Sequence, residues 1–159
     1  MSTPSVEIEV ASALWMAKPG VETCVREAIA AAASRVASDG EVSVLLADDP
    51  TIRALNRDWR GFDKATNVLS FPAAAQVPAS LKLLGDIAIA YETLAREADE
   101  EGKPFLHHLA HLVVHGYLHL MGYDHEGDSE AEAMEALERE ILKTLRVADP
   151  YRTEATDAA

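Results

Sequence analysis

A single cysteine, Cys24, stands in a chain of 159 residues. No internal disulfide can form, so a reducing cytoplasm is the expected setting. The helix-like neighbours of Cys24 favour a packing role over that of a thiol nucleophile. No apolar run approaches the ~18 residues of a membrane-spanning helix, and nothing else in the sequence suggests a membrane partner. Met1 to Val10 carries Glu7 and Glu9 and lacks the positive segment followed by an apolar one that marks an ordinary secretory signal. Basic charge is also scarce, with 14 Lys and Arg against 27 Asp and Glu and a formal net charge of −13. That balance excludes a protein that coats nucleic acid through a broad basic surface. An anionic substrate would need a local basic patch.

The chain is long enough for one sizeable core, and at 48% hydrophobic and 26% charged residues it reads as globular. Alternation over Val6 to Val10, a β-branched run over Glu41 to Ala47, and Val68 to Phe71 and Gly85 to Ala90 predict four strands. Helices are expected over Gly20 to Val36, from Asp48 to about Arg60, and over Tyr91 to Glu101, Phe105 to Met121 and Asp128 to Arg146. The last is amphipathic, with Met134, Leu137, Ile141 and Leu145 on one face. These elements predict a single α/β-type (α+β) domain over 1–146, with a mixed sheet of about four strands packed with about five helices. Strand order does not follow from them. The stretch 147–159 has little apolar content and is expected to be a flexible tail.

All six histidines fall between positions 107 and 125. His111, His115 and His119 recur every four residues, on one helical face. One such step climbs ~6 Å, so neighbours can grip one ion through bonds of ~2 Å, whereas three in a row span ~12 Å and cannot. The residues that follow select the pair. Gly122 can take the left-handed conformation that ends a helix and reverses the chain, which lets His125 fold back on His115 and His119. Three imidazoles leave a fourth position for water, the pattern of a catalytic zinc at the end of a central helix. His107, His108 and His111 read as core residues. Helical zinc proteases place a glutamate directly after the first histidine as general base. Here that position is Gly116, and neither Asp124 nor Glu126 replaces the base by spacing, so peptide hydrolysis is disfavoured.

Basic residues gather at Arg53, Arg57, Arg60 and Lys64, three or four positions apart, a single stripe if the helix continues that far. Beside a metal site, the stripe reads as a strip for phosphates, which arginine binds through a planar fork.

The run His115-Gly116-Tyr117-Leu118-His119-Leu120-Met121-Gly122-Tyr123-Asp124-His125 resembles the signature of the YbeY family of bacterial endoribonucleases, or rRNA maturation factors. Leu55 to Pro72 resembles that family's second motif, with Ala65 where proline is frequent, and Leu84-Gly85-Asp86-Ile87 its third. The resemblance covers Val6 to Arg146. It implies one zinc ion on His115, His119 and His125, and a functional arginine at Arg60. It also implies a single-strand-specific endoribonuclease that acts on ribosomal RNA, in maturation of the small-subunit 3′ end and in ribosome quality control. The implied partners are the small ribosomal subunit and ribosome-assembly proteins. Ser70 and Asp86 match family motifs and read first as structural hydrogen-bonding residues. Two alternatives stand beside this reading: a zinc-stabilised ribosome-assembly factor with little cleavage of its own, and a metallohydrolase of another substrate.

Overall fold

The computed structural model describes residues 3–73, 83–124 and 126–151. Four strands form one sheet: β1 (Ser5–Val10), β2 (Glu41–Ala47), β3 (Val68–Pro72) and β4 (Leu83–Ala90), in the order β1-β2-β4-β3. β1 and β4 flank β2 in parallel, with Val6 opposite Val42 and Val44 opposite Ile87. β3 pairs antiparallel with β4 at the edge, Phe71 opposite Asp86 and Pro72 opposite Gly85. The sheet is therefore mixed, as expected. β4 starts at Leu83, two residues ahead of the Gly85 expected from sequence, because that glycine lies within the strand and does not open it.

The helices are α1 (Val21–Arg35), α2 (Asp49–Arg60), α3 (Tyr91–Glu101), α4 (Phe105–Leu120) and α5 (Asp128–Thr144). Period-two alternation in β2 sends Val42, Val44 and Leu46 into the main core, where they meet Val25 and Ile29 of α1, Leu109, Val113 and Leu118 of α4, and Ile141 of α5. The opposite face carries a smaller cluster, in which Ile52 of α2 packs on Ala47, Leu69, Ala88 and Ala90. Beyond α2 this second face opens into a groove lined by Glu7, Glu9, Asp86, Leu55, Trp59 and Phe71.

Local chemistry sets the helix ends. The Asp48 carboxylate accepts from the Thr51 amide at 3.0 Å and caps α2, with Pro50 in the first turn. Left-handed Gly61 and Gly102 close α2 and α3. Sequence periodicity does not reveal the short 3₁₀ helix Ala13–Ala17, because five residues hold too few turns to show a repeat. It buries Trp15, whose Nε1 donates to the Ala47 carbonyl at 2.8 Å. Trp15 also packs edge-on against Tyr91 and Phe105.

Candidate metal centre

α4 crosses the main core, and its apolar positions explain its placement: Leu109, Leu112, Val113, Val114, Tyr117 and Leu118 are buried. At Gly116 the helix lies directly on the sheet. A Cβ there would stand 3.0 Å from Ile87 Cγ2 and 3.1 Å from the Ser70 hydroxyl, so only glycine permits the approach without displacement. The Ser70 hydroxyl donates to the Gly116 carbonyl at 3.1 Å and ties β3 to the helix beside His115. α4 ends as the glycine signal predicts. Gly122 has φ +96°, and the Gly122 and Tyr123 amides donate to the carbonyls of His119 and Leu118 at 3.1 and 3.0 Å.

His115 and His119 lie one helical step apart on the half-buried face of α4, their rings 4.5 Å centre to centre and their Nε2 atoms 3.0 Å apart. Two imidazole nitrogens on one tetrahedral zinc, with bonds of ~2.0–2.1 Å, stand ~3.3–3.4 Å apart. The observed separation is close to that span, so the pair fits a zinc-type ion. His125, the third expected ligand, lies outside the described residues.

Behind His115 stands a residue the sequence reading missed. Glu138 of α5 has a fully buried side chain, and its Oε1 lies 2.5 Å from His115 Nδ1. Its Oε2 accepts from the Tyr151 hydroxyl and stands 3.4 Å from His111 Nε2. Burial opposes ionisation of this carboxyl, but hydrogen bonds from His111, His115 and Tyr151 outweigh it and hold the pKa at about 2. Glu138 is thus a carboxylate, an acceptor only, and His115 Nδ1 carries the proton of that bond. The His115 lone pair is then on Nε2, the atom that faces His119. The signal was present in sequence: Glu138 falls between Met134 and Ile141 on the apolar stripe of α5, where an unpaired charge would be costly.

His111, Glu138 and His115 also offer ligand atoms that all lie within 4.8 Å of one another, so this group too could hold a metal ion. His108 is buried, as its reading as a core residue requires, and its Nε2 pairs with Glu97 at 2.8 Å. The Asn67 amide donates to the same Glu97 oxygen at 3.0 Å.

Arg60 ends α2, and its Nη2 donates to the Ser70 carbonyl at 2.5 Å with the guanidinium 5.4 Å from the centre of the Phe71 ring. Ser70 therefore links Arg60, through its carbonyl, and α4, through its hydroxyl. The rest of the basic stripe differs from the sequence expectation. α2 stops at Gly61, so Lys64 is off the helix. Arg53 is held by Asp63 through two contacts of 2.8 and 3.3 Å, and Arg57 by Asp58 at 3.0 Å. Asp86 lies exposed on the groove face of the sheet.

The family model for Endoribonuclease YbeY matches residues 9–146. The chain belongs to the YbeY family. Proteins named Endoribonuclease YbeY from a Bradyrhizobium species and from Rhodopseudomonas palustris are 56% and 57% identical to it. Each alignment covers 93% of this chain, and 92% and 90% of those proteins respectively. Among solved structures, the solution structure of TM1509 from Thermotoga maritima matches with a TM-score of 0.58 and 25% identity, over 93% of this chain and 99% of that one. The match to the YbeY model runs through β2, the Arg60 turn, β4 and all of α4 and α5, so His115, His119, Glu138 and Arg60 all lie inside it. Among the described residues no helix is long and apolar enough to cross a membrane.

Proposed function

We propose that this protein is a zinc-dependent, single-strand-specific endoribonuclease acting in the cytoplasm on ribosomal RNA, in maturation of the small-subunit 3′ end and in ribosome quality control. Its partners on this reading are the small ribosomal subunit and ribosome-assembly proteins. Membership of the YbeY family supports the activity. The observation that carries the chemistry is the 3.0 Å approach of the His115 and His119 Nε2 atoms, with Glu138 fixing the tautomer of one of them. On this reading His115, His119 and His125 hold one ion, and Glu138 stays outside its coordination sphere as the carboxylate that orients His115. The 2.5 Å contact from Glu138 to His115 Nδ1 fits a hydrogen bond better than two ligand atoms on one ion.

A bound zinc ion supplies a Lewis acid that lowers the pKa of water towards ~7 and polarises a phosphoryl oxygen. The remaining work falls to the chain itself. Arg60 uses one N–H to hold the Ser70 carbonyl, which fixes the guanidinium against the middle of β3, and its other donors suit the oxygens of a phosphodiester that gains charge as it is attacked. The side chain of Phe71 beneath it restricts the swing of the guanidinium. Asp63 and Asp58 offset the charge of Arg53 and Arg57, so the purified protein should bind naked RNA weakly and in a salt-sensitive manner.

The test is cleavage of a small-subunit RNA precursor by wild-type, Arg60→Glu and His119→Ala protein, with and without prior metal stripping. Arg60→Glu and His119→Ala should each lose at least ~100-fold in rate, as when one transition-state donor is removed, while remaining folded. Full activity after metal removal, or in Arg60→Glu, would sink the reading. Cyclic-phosphate ends would replace activated water with the RNA 2′-hydroxyl as nucleophile. Unfolding on metal removal with no cleavage by the loaded protein would favour the zinc-stabilised assembly factor.

A further inference from the structure

α5 stops at Thr144, and left-handed Arg146 (φ +61°) turns the chain so that the Val147 amide donates back to the Leu142 carbonyl at 2.9 Å. Residues 147–151, assigned to the tail on sequence, then run back against α5, and 152–159 lie outside the described residues. Tyr151 is held there from three sides. Its amide donates to Asp149 Oδ1 at 2.8 Å, and Asp149 in turn accepts from Arg139 Nε at 3.1 Å. The Arg139 guanidinium lies 5.4 Å from the centre of the Tyr151 ring. The ring meets His111 edge-on at 5.7 Å, and the hydroxyl donates to Glu138 Oε2.

The division of labour at Glu138 gives this arrangement its meaning. The carboxylate has two oxygens and three neighbours that can donate, His115, His111 and Tyr151. The Tyr151 hydroxyl engages Oε2, the oxygen also nearest His111, and so leaves Oε1 aligned with His115 Nδ1. Without the hydroxyl, Glu138 can rotate towards His111 Nε2, now 3.4 Å away, and loosen its hold on the His115 ring. We propose that Tyr151, acting through Glu138, is a positioning residue that fixes the orientation and tautomer of the metal ligand His115. This proposal rests on the reading of His115 and His119 as ligands, and its test separates the two.

Zinc affinity is measured by competition with a chromogenic chelator for wild-type, Tyr151→Phe, Tyr151→Leu and His115→Ala protein. Tyr151→Phe keeps the ring and its contacts with Arg139 and His111, yet it should bind zinc about tenfold more weakly, as expected when a partner behind a ligand is lost. Tyr151→Leu should lose a similar amount. A loss confined to Tyr151→Leu would assign the effect to ring packing and overturn the proposal. So would wild-type affinity in Tyr151→Phe while His115→Ala loses binding, a result that leaves the metal reading intact. Equal zinc binding by wild-type and His115→Ala protein would sink the metal reading, and the proposal with it. A long-range proton–nitrogen NMR spectrum of metal-free wild-type protein gives an independent readout. It should show His115 protonated on Nδ1, and the opposite tautomer would refute the proposal whatever the variants do.

Discussion

Replacing Gly85 by alanine should be among the most damaging single-methyl additions in the molecule. A Cβ at this position would lie 2.3 Å from the Phe71 carbonyl oxygen, 2.9 Å from Pro72 Cα and 2.8 Å from Leu120 Cδ2. The first two are backbone atoms of the paired strand, so relief requires β3 and β4 to part where Pro72 faces Gly85. The φ of +143° is itself closed to L-residues. Backbone strain of this kind costs about 1–3 kcal/mol, and overpacking against immovable neighbours about 1–3 kcal/mol more. We therefore expect a loss of about 2–6 kcal/mol, or ~4–24 °C in Tm for a chain of this size. Gly61→Ala is the control. Gly61 also has positive φ, +79°, but nothing lies within 4 Å of the added methyl, so only the conformational cost of about 1 kcal/mol applies. Thermal and urea melts of the two variants decide the matter. If Gly85→Ala melts within 1 kcal/mol of wild type, or no lower than Gly61→Ala, the close strand approach described here is wrong.

Two further outcomes follow from local chemistry. Burial, reinforced by Glu27, pushes the Cys24 thiol up to about 11, so iodoacetamide at pH 7.5 should modify it roughly two orders of magnitude more slowly than a free thiol; a rate equal to that of free cysteine refutes this. Loss of the helix cap in Asp48→Ala should cost about 1 kcal/mol near neutral pH. Hydrogen bonds from the Thr51 side chain and amide lower the Asp48 pKa in the folded state. The cap is therefore fully stabilising above the unfolded value of ~3.9 and weakens as pH falls through the folded one. The difference between wild type and Asp48→Ala should shrink below about pH 4, and a constant difference down to pH 2 would contradict the assignment.

Among the described residues, the four strands and five α-helices are legible in sequence because their signals are local. Asp48 and Pro50 announce the start of α2, Gly61 and Gly102 announce helix ends, and the histidine spacing with Gly122 announces the α4 turn. Contacts that join distant segments left no such mark. The order β1-β2-β4-β3 depends on which hydrophobic faces meet, and alternation reports only that a face exists. Ser70 reads as a structural hydrogen-bonding residue and does bond α4, but its partner, the Gly116 carbonyl, has no sequence signature. Glu138 is obscured by the helix that carries it: α5 is rich in acids, and its apolar stripe alone does not show that this one finds a partner in His115 of α4. The basic stripe failed for the reverse reason. Periodicity places Arg53 and Arg57 on a helix correctly but does not show that Asp63 folds back onto Arg53 or that Arg57 turns to its neighbour Asp58.

Gly116 sets a limit on what this scaffold can become. In a zinc peptidase helix the residue after the first histidine carries the general base, and a single codon change from glycine to glutamate would supply one on paper. In this fold that position faces Ile87 and Ser70 at 3.0–3.1 Å. A longer side chain there would force α4 off the sheet before it could reach a substrate. The route from this centre to peptide chemistry is thus blocked by packing, and a designer wanting a base beside His115 and His119 must bring it from another element.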